Sequence, residues 1–177
     1  MKKITVLWLP LLLLAACRDN NPPPPPATPD YDVISTGVLT DLAELSYKPG
    51  YWIGKDWHPL EAHNIRQAFP YGLTRQGQSL IIAGAYEGPH PQTGDNMLLP
   101  CIWRNGHLIK LPVNELSFDN RCSASDVVWH NNALYILGEA DLEPVIWKAE
   151  GEQYRIIPLP KSQDITGRRR GSNLIIW

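Results

Sequence analysis

The sequence predicts a mainly β fold, an incomplete β-propeller-like repeat array, with a β-sandwich as the alternative. Three recurrences point there. Tryptophan returns in the same apolar setting at Trp52, Trp103 and Trp147, 51 and 44 residues apart. Each is followed by a polar turn and an apolar stretch that ends near Leu60, at Leu111-Pro112 and at Leu159-Pro160. Upstream of the tryptophan, a Gly/Asn/Ser turn and a short apolar run recur at 76–84, 130–138 and 170–177. A period of ~40–50 residues marks propeller-like arrays, because one such unit buries its faces only by stacking on the next. A sandwich of short strands with regular turns gives a similar text, which keeps that alternative open.

The chain has 177 residues and opens with Met1-Lys2-Lys3, then thirteen uncharged, mostly apolar residues from Ile4 to Ala16. At ~1.5 Å per residue a helix of that length spans about 20 Å, too short for a hydrocarbon core of ~30 Å, so residues 1–16 read as an export leader. Leu14-Ala15-Ala16-Cys17 fits a lipobox, and here the chain resembles a bacterial lipoprotein precursor. The resemblance implies cleavage before Cys17, a diacylglyceryl thioether on its sulfur and acylation of its new amine. Several acyl chains make a stable anchor where one is marginal. A simple secreted protein with a chance cysteine beside its cleavage site is the alternative. Arg18 stands where the family's inner-membrane retention signal has Asp, so the resemblance implies the outer membrane, facing the periplasm or the surface. Pro22–Pro26 and Pro29 complete a spacer over 17–30 that favours extended polyproline II.

Residues 31–177 remain as one β-repeat domain. With 44% hydrophobic and 19% charged residues, the composition is that of an ordinary globular chain. The formal net charge of −2 becomes −4 once Lys2 and Lys3 leave with the leader, which argues against nucleic-acid binding. Each unit reads strand, turn, strand with a small residue, loop, strand with Trp, turn, strand ending in Leu, and four strands make a propeller blade. The polar stretch Glu87–Asn96 reads as a loop insertion in one copy, and Thr40–Tyr47 is the one helix candidate, with an exposed edge strand as the alternative. Over about 51–177 the repeats resemble bacterial propeller-like lipoproteins of unknown function, and more loosely extracellular repeats of the W-x-N-G type seen at Trp103-Arg104-Asn105-Gly106. There is no Trp-Asp, kelch-type Gly-Gly or Asp-box signature.

The chemistry-bearing residues are few. Cys101 and Cys122 are the cysteines left after Cys17; in an oxidising compartment they are expected to form a disulfide, with two separately buried thiols as the alternative. His58, His63, His90, His107 and His130 match no zinc spacing and read as surface or turn residues. Asp126 and His130 stand four apart, but on a strand and its turn they need not meet. No metal site, cofactor or catalytic residue is assigned. Trp52, Trp103 and Trp147 are expected to fill space between blades, whereas Trp57 and Trp129 fall outside the repeat and are the ligand-contact candidates. Arg168–Arg170 reads as a solvated loop or a contact for an acidic partner.

The function expected is a non-enzymatic binding or scaffolding module of the cell envelope, anchored through lipid, with an envelope protein or glycan as partner. The alternative is a piece of a propeller-type hydrolase or lyase acting on envelope glycans, which rests on fold analogy alone. Too few units are present for a closed ring of ~4–8 blades, and the last copy stops inside an apolar run at Trp177. The expectation is a reading frame cut short or an oligomer in which two chains complete one ring.

Overall fold

The computed structural model describes residues 33–114, 116, 121–141 and 143–159. Cys17, the leader, the proline spacer, Arg168–Arg170 and the turn-strand copy at 170–177 lie outside the described residues. Within them the chain is all strand and turn, arranged as three antiparallel meanders. The first sheet joins β1 (Ile34–Asp41), β2 (Ser46–Ile53) and β3 (Asp56–Pro59). The second joins β4 (Ala68–Gln76), β5 (Ser79–Pro89), β6 (Asn96–Arg104) and β7 (His107–Lys110). The third joins β8 (Cys122–His130), β9 (Ala133–Ala140), β10 (Glu143–Glu150) and β11 (Gln153–Pro158). Each sheet is a propeller-like blade, and consecutive blades pack side by side: β4 lies against β1 and β2, and β8 against β4, β5 and β6.

Tight two-residue turns set the registers. Asn131 and Asn132 both take positive φ (45° and 60°) between His130 and Ala133, as do Asn105 and Gly106 (52° and 88°) between Arg104 and His107. Only residues that tolerate the left-handed region make this turn, whose twist matches the flanking strands.

Superposing the registers shows what the repeat is. Gly37 pairs with Gly50, Gly84 with Cys101 and Gly138 with Val145, and in each case the tryptophan stands two residues further along, at Trp52, Trp103 and Trp147. Residues two apart on a strand share a face, so each indole lies diagonally over the glycine. A Cβ on Gly84 would sit 2.6 Å from Trp103 Cζ3 and one on Gly138 2.5 Å from Trp147 Cζ3. Both would also collide with a carbonyl of the inner strand, Phe69 O or Ser123 O. A second constant is a proline three residues before each tryptophan. The N–H of Leu60, Leu111 and Leu159 donates to the carbonyl of Pro49, Pro100 and Pro144 at 2.9, 3.1 and 3.2 Å, tying the exit of each blade to its third unit element.

The blades are joined by the tryptophans. Trp103 and Trp147 are fully buried. Their indole N–H groups donate to the exit segment of the preceding blade, Trp103 to Glu61 O and Trp147 to Pro112 O, each at 2.8 Å. An indole buries ~150–250 Å², worth on the order of 4–6 kcal/mol gross at ~25 cal/mol per Å². That gain survives only because the buried N–H is paired. Around these rings Ile81, Ile82, Ile102, Leu134 and Ile136 complete the core.

β1 supplies the first unit with the strand equivalent to β5 and β9, and no innermost strand precedes it among the described residues. Two expectations need correction. Thr40–Tyr47 is not a helix: Asp41 pairs with Ser46, and Leu42–Leu45 form a four-residue hairpin loop. Asp41 Oδ1 accepts from the N–H of Ala43 and Glu44, as a helix cap would, but Leu45 turns to φ 49° and sends the chain back. The polar stretch at 87–96 is an extension of the β5–β6 hairpin, whose pairing runs out to Pro89 and Asn96, with the loop confined to 90–95.

Candidate functional site

A cleft of about 710 Å³ lies on the first blade, between the start of β2, the end of β3 and the connector that leads to β4. Tyr47, Pro49, Leu60, Ala62 and Ile65 give it apolar walls, and Lys48, His63 and Arg66 stand at its rim. The wall formed by the connector is fixed in place. Glu61 N donates to Gly106 O (2.9 Å), Glu61 O accepts from Trp103, and Glu61 Oε2 accepts from Leu108 N at 3.0 Å with His107 Nδ1 at 3.5 Å. On the far side Tyr47 N donates to Arg66 O at 3.1 Å, and the Tyr47 ring meets Phe69 at 5.2 Å. A single glutamate thus holds the cleft's outer wall to the second blade.

The rim charges differ in their freedom. Lys48 Nζ lies 2.8 Å from Asp41 Oδ2 and 3.9 Å from Glu44 Oε2. The hydrogen bond with Lys48, helped by the N–H groups of Glu44 and Ala43, holds the Asp41 carboxyl below its usual range, and the same bond raises Lys48. Arg66 is exposed and has no ion-pair partner among the described residues. The arrangement suits an amphipathic ligand with an apolar body and an acidic end. It offers no nucleophile paired to a base.

The residues singled out in the sequence are dispersed. Trp57 packs tilted against Trp52 with ring centroids 4.3 Å apart, over Gly50, and does not line the cleft. Trp129 is half-buried against the core. Cys101 and Cys122 are buried free thiols rather than the expected disulfide. Cys101 shares a face with Gly84 and Trp103 on the second blade, while Cys122 opens β8 on the third. Burial pushes both thiols up, and the carboxylates of Asp141 and Glu139 add to the effect at Cys122. Beside it Arg121 Nη2 lies 2.8 Å from Glu139 Oε1 as an ion pair, and Asp141 N donates to Arg121 O at 3.0 Å.

Of the histidines, His58 stacks on Tyr51, and His90 is buried where its Nδ1 accepts from Gln92 N and Thr93 N, organising the 90–95 loop. Asp126 turns its Oδ1 to Val127 N at a bulge in β8 and packs against Gly72 of β4. Among the described residues no three His, Cys, Asp or Glu side chains are placed to share a metal ion. The cleft escaped the sequence reading because its connector, 60–67, is the part of the unit that does not repeat. Comparison with protein-family models, with curated proteins and with solved structures finds no match.

Proposed function

We propose that the chain is a binding or scaffolding module of the cell envelope, held to the outer membrane through a lipidated Cys17, and that it takes its partner at the cleft on the first blade. The observation that carries the binding half of this reading is a cleft of about 710 Å³ with apolar walls, a wall pinned by Glu61 and an unpaired Arg66 at its rim. Ligand sites are concave and mostly apolar, with a few placed polar groups that fix orientation. The anchoring half rests on the Leu14-Ala15-Ala16-Cys17 motif and the preceding leader.

A photo-reactive amino acid at Asn64, on the cleft rim, tests the binding half in cells. A reproducible adduct that disappears with Ile65→Asp supports it, and the absence of any adduct, with the same group at Lys55 as a control, overturns it. Mass spectrometry of the mature N-terminus tests the anchor: an unmodified Cys17 removes that half and leaves the cleft standing.

A further inference from the structure

The face of the first blade that carries Trp52 is open where its two counterparts are closed. Pairing places Gly37 opposite Gly50 and Trp52 opposite Trp57, so strand alternation puts all four on one side of the sheet, with Leu39 two residues beyond Gly37. On the second and third blades the equivalent side is sealed by the blade before it. Trp103 and Trp147 are fully buried there, and their N–H groups reach Glu61 O and Pro112 O. Trp52 stays half-buried, and its N–H has no acceptor among the described residues. Four of the five large hydrophobic side chains exposed in the described chain, Val33, Leu39, Leu42 and Leu45, belong to this one blade. An exposed apolar concentration of this kind marks a contact surface rather than scattered surface hydrophobics.

We propose that this face docks a second copy of the chain, whose third blade supplies the surface that the first and second blades supply within one copy. The second copy is the occupant that fits because the contact already exists twice, between repeat-related surfaces. Its receiving half is a sheet face closed off by a leucine exit bonded to a proline carbonyl, Leu60 to Pro49 and Leu111 to Pro100. The third blade ends in the same device, Leu159 N–H on Pro144 O. On its side away from the second blade stand Tyr135, Ile146 and Ile157, each half-buried. Every copy therefore carries both halves of the contact. Used reciprocally by two copies it brings together the six blades of their described residues, inside the range of ~4–8 found in closed propellers, and a head-to-tail contact that closes in this way is a finite dimer rather than a filament. Neither Trp52 nor Trp57 lines the cleft of the first blade, so the contact and the binding reading fail independently.

Sedimentation equilibrium on the chain from residue 17 onward, with Cys17→Ser so that lipid does not drive association, tests this. The expected result is a reversible monomer–dimer equilibrium whose dissociation constant rises at least tenfold with Trp52→Glu. Leu39→Lys, an exposed position on the same face, is expected to act likewise and covers the case in which Trp52→Glu fails to fold. Tyr71→Glu, exposed on β4, is expected to leave the equilibrium unchanged. A monomer at all concentrations overturns the proposal. In that case acrylamide quenching says whether Trp52 is open to water or covered by the chain's own residues outside 33–159. A dimer indifferent to both variants overturns it as well.

Discussion

Gly138→Ala is expected to be among the most costly single-methyl additions in the described fold. The new Cβ would lie 2.5 Å from Trp147 Cζ3 and closer still to Ser123 O, the carbonyl of the neighbouring inner strand. Neither neighbour is the loose end of a flexible side chain. Relief requires β8 to move away, weakening its ladder with β9, or the indole to shift and give up its 2.8 Å bond to Pro112 O. Overpacking costs ~1–3 kcal/mol, and a buried carbonyl left unpaired costs a further ~1–3 kcal/mol. The expected loss is about 3 kcal/mol, or roughly 10 °C in melting temperature for a domain of this size. Gly84→Ala should match it, since its Cβ meets Phe69 O and Trp103 in the same way. Gly37→Ala should cost under ~1 kcal/mol, because it meets only the ring of half-buried Trp52, at 2.8 Å, and no strand carbonyl. Urea unfolding followed by circular dichroism measures all three. Equal midpoints for Gly37→Ala and Gly138→Ala would refute the argument that the inner strand and the inter-blade indole together set the requirement for glycine.

Other outcomes follow from the same geometry. Trp103→Phe, which keeps the ring's bulk over Gly84 but deletes the donor to Glu61 O, should destabilise by ~1–3 kcal/mol in the same urea assay, and Trp52→Phe by less than ~0.5 kcal/mol. Cys101 and Cys122, buried as free thiols with their pKa values raised, should resist iodoacetamide at pH 8 in the native protein and both react in urea; rapid native labelling would contradict their placement. The folded state holds the protons of these thiols and of Tyr86, pushed up to about 12 by burial and then by Cys101, more tightly than the unfolded chain does. Their contribution is therefore complete below about pH 9 and is lost as pH rises through the folded values. Melting temperatures that stay level from pH 8 to pH 11 would exclude it. Glu139→Gln, which leaves Arg121 Nη2 without its charged partner, should lower stability by ~1–2 kcal/mol, and Glu139→Gln with Arg121→Met should recover part of that in a double-mutant cycle.

The periodicity was legible because large and chemically distinctive residues mark it. Trp52, Trp103 and Trp147 fall at equivalent points of the three sheets and the turns at 77–78 and 131–132 at equivalent points of the second and third, and the inter-blade role expected of the tryptophans is what Trp103 and Trp147 perform. The glycine partner was half visible: Gly84 and Gly138 end recognisable copies, but Gly37 lies in Ser35-Thr36-Gly37-Val38, which shares no other residue with them. Only cross-strand pairing, which a linear text does not record, makes the three equivalent. Thr40–Tyr47 misled because Asp41 carries a helix-capping signal that a hairpin loop uses equally well, and Leu42 and Leu45, spaced like one helical face, are instead exposed at the loop. The cleft was not legible because its walls come from a connector and from strand ends, whose proximity depends on how Glu61 is tied to the second blade.

The direction of the indole bonds also bears on how the molecule is made. Each fully buried tryptophan donates backwards along the sequence, Trp103 to Glu61 and Trp147 to Pro112. A chain that emerges N-terminus first, from a ribosome or through a translocation channel, has each acceptor in place before its donor is synthesised. Within a blade, consecutive strands pair with their neighbours, so every sheet forms from contacts close in sequence. Assembly therefore proceeds as a ratchet, in which a completed blade offers its exit carbonyl as the template for the next and no earlier blade has to reopen. An interruption after the second unit leaves the Trp103 indole already paired with Glu61 O.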